Sequence, residues 1–185
     1  MLSAKGYAFE TLNQIQSLYN GDEKERILKE FIFSNCEVTD WYIKKIHRDT
    51  ARMELNASLK FNKLLNPLGN EYYFSLYPVG IPNFSVPESR QLPVKLPYPI
   101  YYIDTLNYNL PEGYELKTKL KNYELRTKYG NYNLDFVVLN RTIRIIKKIE
   151  LFSGSISMTQ YPEFYGFIKS IKDVDTKEIV LKPLI

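Results

Sequence analysis

The stretch Arg90–Leu120, RQLPVKLPYPIYYIDTLNYNLPEGYELKTKL, decides how the rest of the chain is read. Ile100, Tyr102, Leu106, Tyr108 and Leu110 share one parity, and Tyr101, Thr105, Asn107 and Asn109 share the other. That is the period of a strand with one face in a core. Asp104 is the one polar residue on the apolar parity. Pro111-Glu112-Gly113 then predicts a turn, because proline sets φ and glycine accepts a positive φ, before Tyr114, Leu116, Thr118 and Leu120 resume the alternation. Pro93, Pro97 and Pro99 cannot donate to a ladder and mark an edge of the sheet or an entry into it.

Downstream the same signal repeats. Tyr123, Leu125, Thr127 and Tyr129 alternate with polar residues, Gly130-Asn131 reads as a turn, and Tyr132, Leu134, Phe136 and Val138 follow. Asn140-Arg141 turns into a strand over Thr142 to Phe152, which Gly154 ends. Short turns between strands of similar length describe an antiparallel meander, since parallel pairing needs crossovers of about a dozen residues or more. Pro162 suits the first turn of a short C-terminal helix, whose stripe of Phe164, Phe167, Ile168 and Ile171 would lie on the sheet. Ile179 to Leu181 closes the chain as a strand.

Upstream, Gly6 to Tyr19 reads as an irregular strand. Asn20-Gly21-Asp22 supplies a turn and an N-cap for a helix with Ile27, Leu28, Phe31 and Ile32 on one stripe, ending near Asn35. Strands are expected at Val38 to Ile46, at Met53 to Phe61 and at Glu71 to Tyr77, with a turn at residues 66–70. The proline-dense segment from Pro78 to Pro99 predicts an extended connection. It divides a β-rich segment with one helix, residues 1–80, from a C-terminal antiparallel β-sandwich-like domain with a short helix, residues 90–185. The fold class is mainly β, a sandwich-like meander with one N-terminal and one C-terminal helix. Leu55, Leu59, Phe136, Ile145 and Phe167 are expected in the core.

Composition narrows the function classes. With 16 Tyr and 10 Phe among 185 residues the chain is tilted toward strands. The charge of +4 is spread along the sequence, without a run of like charges of the kind that makes a nucleic-acid arm. No apolar run approaches the roughly 18 residues of a membrane-spanning helix. The opening residues MLSAKGYAFE carry no apolar leader core, the pattern of a cytoplasmic protein or of a piece of a longer exported one. One Cys and one His leave no set of thiolate and imidazole ligands for a transition metal, and the glycines are isolated instead of gathered into a phosphate loop. No cofactor or metal is expected.

Two constellations remain. Cys36, His47 and Asp49 are the residue types of a thiol nucleophile with its base and orienter. Cys36 follows a helix end, however, where the dipole does not lower a thiol pKa, and His47 and Asp49 share a tight turn, so the expectation is an inert thiol. Tyr72 and Tyr73, and Tyr101 and Tyr102, are adjacent pairs in which one ring faces out. A carbohydrate-binding β-sandwich could stack sugar rings on them.

The Gly6 strand, the helix around Ile27 to Phe33, Tyr73-Phe74 before Pro78, Arg90 with Pro93-Val94, Leu110-Pro111 with Gly113-Tyr114, Tyr161-Pro162 with Phe164, and Val180-Leu181 occur in an order with a family counterpart. It resembles the C-terminal region of large exported bacterial proteins in which a transglutaminase-like core is followed by a β domain of unknown function. In such proteins catalysis belongs to the Cys, His and Asp of the core, and no residue here matches them. The resemblance implies a non-catalytic structural or interaction module of the periplasm or cell surface. Its partner would be the transglutaminase-like core, in the same polypeptide or another.

Overall fold

The computed structural model describes residues 1–28, 36–47, 51–61, 63–76 and 81–184. The alternation around Asp104 becomes β7 (Ile100–Asn109), the fourth strand of a seven-stranded antiparallel sheet. The others are β1 (Leu2–Gly6), β2 (Glu37–His47), β3 (Arg52–Lys60), β9 (Tyr123–Thr127), β10 (Gly130–Leu139) and β11 (Thr142–Leu151), in the order β2-β3-β1-β7-β11-β10-β9. The expected meander is its C-terminal part. Residues from both sides of the proline-dense segment build this one sheet.

The register puts one face of the sheet in the core along its whole width. Lys147 on β11 stands opposite Asp104 on β7 and Leu134 on β10, and Asp104 stands opposite Leu2 on β1, itself opposite Leu55 on β3. Alternation then carries Ile143, Ile145, Ile149 and Leu151 of β11, with Tyr132 and Leu134 of β10, onto the same side, and all are buried. Two hydrophobic clusters share this side. Ala4, Met53 and Leu55 pack with Phe9, Leu12 and Ile15 of α1 (Tyr7–Leu18), while the larger cluster packs under α3 (Tyr161–Asp175). Tyr102 touches both.

A four-stranded sheet closes the larger core. Its strands are β4 (Asn66–Leu68), β5 (Glu71–Ser75), β8 (Tyr114–Leu116) and β13 (Glu178–Pro183), in the order β4-β5-β13-β8. Phe74 of β5 meets Tyr108 of β7 with ring centroids 5.1 Å apart, so the two sheets are in direct contact in a sandwich-like arrangement. A two-stranded ribbon of β6 (Val94–Leu96) and β12 (Gly154–Ile156) adds Val94 and Ile156 to the same core. Between β6 and β5 the chain crosses α3: Phe84 lies edge-on to Phe164 at 4.8 Å, and the Tyr161 hydroxyl donates to the Ser85 carbonyl at 2.5 Å. Over residues 81–93 this strap joins no ladder and makes one 3-10 turn at Pro87–Ser89, with a proline at the turn's first position.

Several expectations change in detail. Gly6 to Tyr19 is not an irregular strand: β1 ends at Gly6, and the following residues form α1, because Phe9, Leu12 and Ile15 recur at a helical interval and bury together against β1 and β3. In α2 (Gly21–Ile27) the cap is as expected: Asn20 Oδ1 accepts from the Glu23 N–H at 3.0 Å, and the Glu23 carboxylate accepts from the Asn20 N–H at 3.1 Å. The expected stripe residues Phe31 and Ile32, and Asn35, fall outside the described residues. Gly130 is no turn residue. The turn is Lys128-Tyr129, and Gly130 begins β10, where a Cβ would sit 2.1 Å from the Glu150 carbonyl oxygen. Pro111 to Gly113 turns as expected, with Gly113 at φ 78° and the Tyr114 N–H donating to the Pro111 carbonyl. It does not make a hairpin, however, since β8 pairs with β13 in the other sheet. Of the five expected core residues, Leu55, Ile145 and Phe167 are buried; Leu59 and Phe136 are half-buried.

Candidate functional site

Where α3 ends over the seven-stranded sheet, ionisable side chains gather inside the core. On β11 the buried parity reads Ile143, Ile145, Lys147, Ile149, Leu151, and the lysine obeys the same alternation as its apolar neighbours. Its side chain is 0% exposed, and its ammonium lies 2.9 Å from Asp175 Oδ1 in the last turn of α3. Asp175 Oδ1 also accepts from the Tyr132 hydroxyl on β10 at 2.8 Å. Asp104, opposite Lys147 on β7, is the second carboxylate; the residue as a whole is half-buried, but its Oδ1 is shielded from solvent and has no hydrogen-bond partner among the described residues.

Burial dominates the electrostatics. It pushes the Asp104 carboxyl up to about 6, with the charge of Lys147 pulling the other way and Asp175 adding to the rise. It holds the Lys147 ammonium below the ordinary lysine range, against the opposing pull of Asp175 and Asp104. The Tyr132 phenol is raised by burial first and then by Asp175, which it serves as donor. Chemically this is a closed ionic knot. The Lys147 ammonium is paired with Asp175 out of reach of solvent and feels the charge of Asp104 beside it, and the pair ties the end of α3 to β11 and, through Tyr132, to β10. Breaking a pair of this kind by removing one partner costs about 3 to 5 kcal/mol, because the other charge stays buried.

The sequence signals for the knot were of unequal strength. Asp104 stood out as the polar residue on an apolar parity. Lys147 occupied the same kind of position and was missed, although Ile143, Ile145, Ile149 and Leu151 flank it at period 2. Asp175 continues the helix stripe one turn beyond Ile171, and nothing local marks Tyr132.

The residues singled out from sequence are dispersed. Tyr72 and Tyr73 lie on β5 in the four-stranded sheet, whereas Tyr101 and Tyr102 lie on β7 in the seven-stranded one; all four are half-buried. Tyr72 packs edge-on to Tyr114 at 5.2 Å, Lys5 sits 5.3 Å over the Tyr101 ring, and Tyr102 is engaged with both cores. The pairs therefore belong to different sheets. Cys36 precedes β2, and burial raises its thiol above the ordinary range, away from the thiolate. The backbone of His47 pairs with Arg52 at the end of β2, and Asp49 lies outside the described residues.

The fold and the knot define an antiparallel, β-rich domain whose ionisable centre is internal. The chain belongs to the family DUF3858, described as a domain of unknown function with a solved structure; the family model matches residues 64–181. No curated protein sequence matches the chain. In structure it is similar to a chain from Parabacteroides distasonis described as a proposed protease, with a TM-score of 0.52 at 16% sequence identity. The match covers 61% of this chain and 23% of that one. At that identity the likeness concerns the fold. Among the described residues no helix is long and apolar enough to cross a membrane.

Proposed function

We propose that this chain is a non-catalytic structural or interaction module of a larger bacterial protein that carries a transglutaminase-like core and works in the periplasm or at the cell surface. The carrying observation is that 61% of this chain matches only 23% of a longer chain described as a proposed protease, a part of that polypeptide that leaves room for a separate catalytic unit. The interior supports the same reading. Its one concentration of ionisable groups among the described residues is spent on holding α3 to the sheet, with Lys147 sealed from solvent, and Cys36 sits where burial disfavours the thiolate. The partner of the module is the transglutaminase-like core, reached through the surface of the domain.

The test is an assay of the purified chain for amide hydrolysis and for incorporation of a fluorescent primary amine into a glutamine-bearing protein. The expected rate equals that of buffer. A turnover that is present in the parent and lost in Cys36→Ala overturns the non-catalytic reading. Light scattering on a mixture with a transglutaminase-like core checks the partner, the expected result being a one-to-one complex.

A further inference from the structure

Counted over side chains alone the knot is short of one positive charge; the Met1 amino group also acts on Asp104, but its own burial disfavours the ammonium and Glu54 shares it. Lys147 brings a single ammonium, whereas Asp175 and Asp104 bring two carboxylates. Asp175 holds both the ammonium at 2.9 Å and the Tyr132 hydroxyl at 2.8 Å, and Asp104 Oδ1 is left shielded and without a donor among the described residues. The other groups that face Asp104 can be named element by element. β1 brings the Met1 amino group, which hydrogen-bonds to the Thr105 carbonyl at 2.8 Å and interacts with Glu54 of β3 as well as with Asp104. β11 brings Lys147, β10 brings Tyr132 and α3 brings Asp175. The buried residues that α1 turns toward this side, Phe9, Leu12 and Ile15, are apolar.

Position gives the imbalance a consequence. Asp104 is paired across β7 with Leu2 of β1 on one side and with Lys147 of β11 on the other. It stands at the seam where the core under α1 meets the core under α3, two residues from Tyr102, which touches both. We propose that Asp104 is the proton-binding group of a pH-sensitive latch at the β1–β7 seam: protonated, it lets β1 stay zipped to β7, and ionised, it competes with Asp175 for Lys147 and loosens the seam. The proton supplies the charge that the side chains lack. Burial sets the transition near pH 6, so the latch is closed in mild acid and eased in mild base. The proposal stands apart from the module reading, because it concerns only groups inside this chain.

Native-state hydrogen exchange of the full chain, followed by NMR from pH 5 to pH 8, tests it, each amide rate being divided by its unstructured-peptide rate at the same pH. Protection in β1 and β7 is expected to fall by about tenfold or more relative to protection in the β10–β11 hairpin, and Asp104→Asn is expected to abolish that difference. An equal fall in both strand pairs overturns the latch. So does a difference that persists in Asp104→Asn, which would assign the effect to the Met1 amino group. Should Asp104→Asn fail to fold, the carboxyl carbon of Asp104 in the parent decides: a titration midpoint below pH 5 rules the proposal out, and a midpoint shared with the loss of β1–β7 protection upholds it.

Discussion

Lys147 shows how much a single buried residue can commit a fold to one arrangement. The lysine is tolerated only because Asp175 arrives from α3, 28 residues further along the chain, and because Tyr132 gives that carboxylate a second donor. Lys147→Met removes the cation and leaves the buried Asp175 carboxylate without its ion pair beside the half-buried Asp104, so urea unfolding at pH 7 should show a loss of about 3 to 5 kcal/mol. The loss should shrink in acid, where the stranded carboxylates take up protons. Asp104 contributes with the opposite sign from a salt-bridged acid. Its folded pKa is raised from 3.8 to about 6, so the folded state binds the extra proton and stability falls as pH rises through that window. Asp104→Asn should therefore stabilise the chain at pH 8 by about 1 to 3 kcal/mol and change little at pH 4, as measured by unfolding midpoints at the two pH values.

At the scale of elements, legibility followed the range of the forces involved. β7, β10 and β11 were readable because alternation is a local pattern that a half-buried sheet enforces directly. The start of α3 was readable from Pro162 and its stripe. The division of residues 2–18 into a strand and a helix was not: β1 has only five residues and is defined by β3 and β7 on either side, partners far away in sequence. Gly130 failed for a related reason. A glycine near a turn reads as a turn glycine, but its need here arises from the Glu150 carbonyl on the neighbouring strand, which lies where a Cβ would be. Its role is close approach, so Gly130→Ala must push β10 away from β11 at the end of the hairpin. A cost of about 1 to 3 kcal/mol is expected in thermal or urea unfolding, against almost none for Gly21→Ala, where nothing lies within 4 Å of the added carbon. The candidate site was legible only at Asp104, since Lys147, Asp175 and Tyr132 become a site through contacts between elements.

For the whole molecule, the question is which part of the chain carries a self-sufficient core. The proline-dense segment suggested a division into residues 1–80 and 90–185, but β4 and β5 lie before it and pair onward to β13, and Phe74 and Leu76 are buried in the core under α3. The family match begins at residue 64, on the same side of these strands. We therefore propose residues 64–185 as the autonomous unit. A fragment of residues 90–185 would leave β13 with an unpaired edge and would open the core where Phe74 meets Tyr108, a gap comparable to deleting a buried aromatic side chain at about 3 to 5 kcal/mol. That is a large share of an ordinary domain stability of about 5 to 15 kcal/mol. Fragment 64–185 should unfold cooperatively on heating, and fragment 90–185 should show a broad transition or none. The longer fragment also lacks β1, so Asp104 should be hydrated at the new sheet edge and titrate closer to an ordinary carboxylate than in the full chain. Equal unfolding midpoints for the two fragments would refute the boundary at residue 64, and an unchanged Asp104 titration would show that β1 contributes nothing to the burial of that carboxyl.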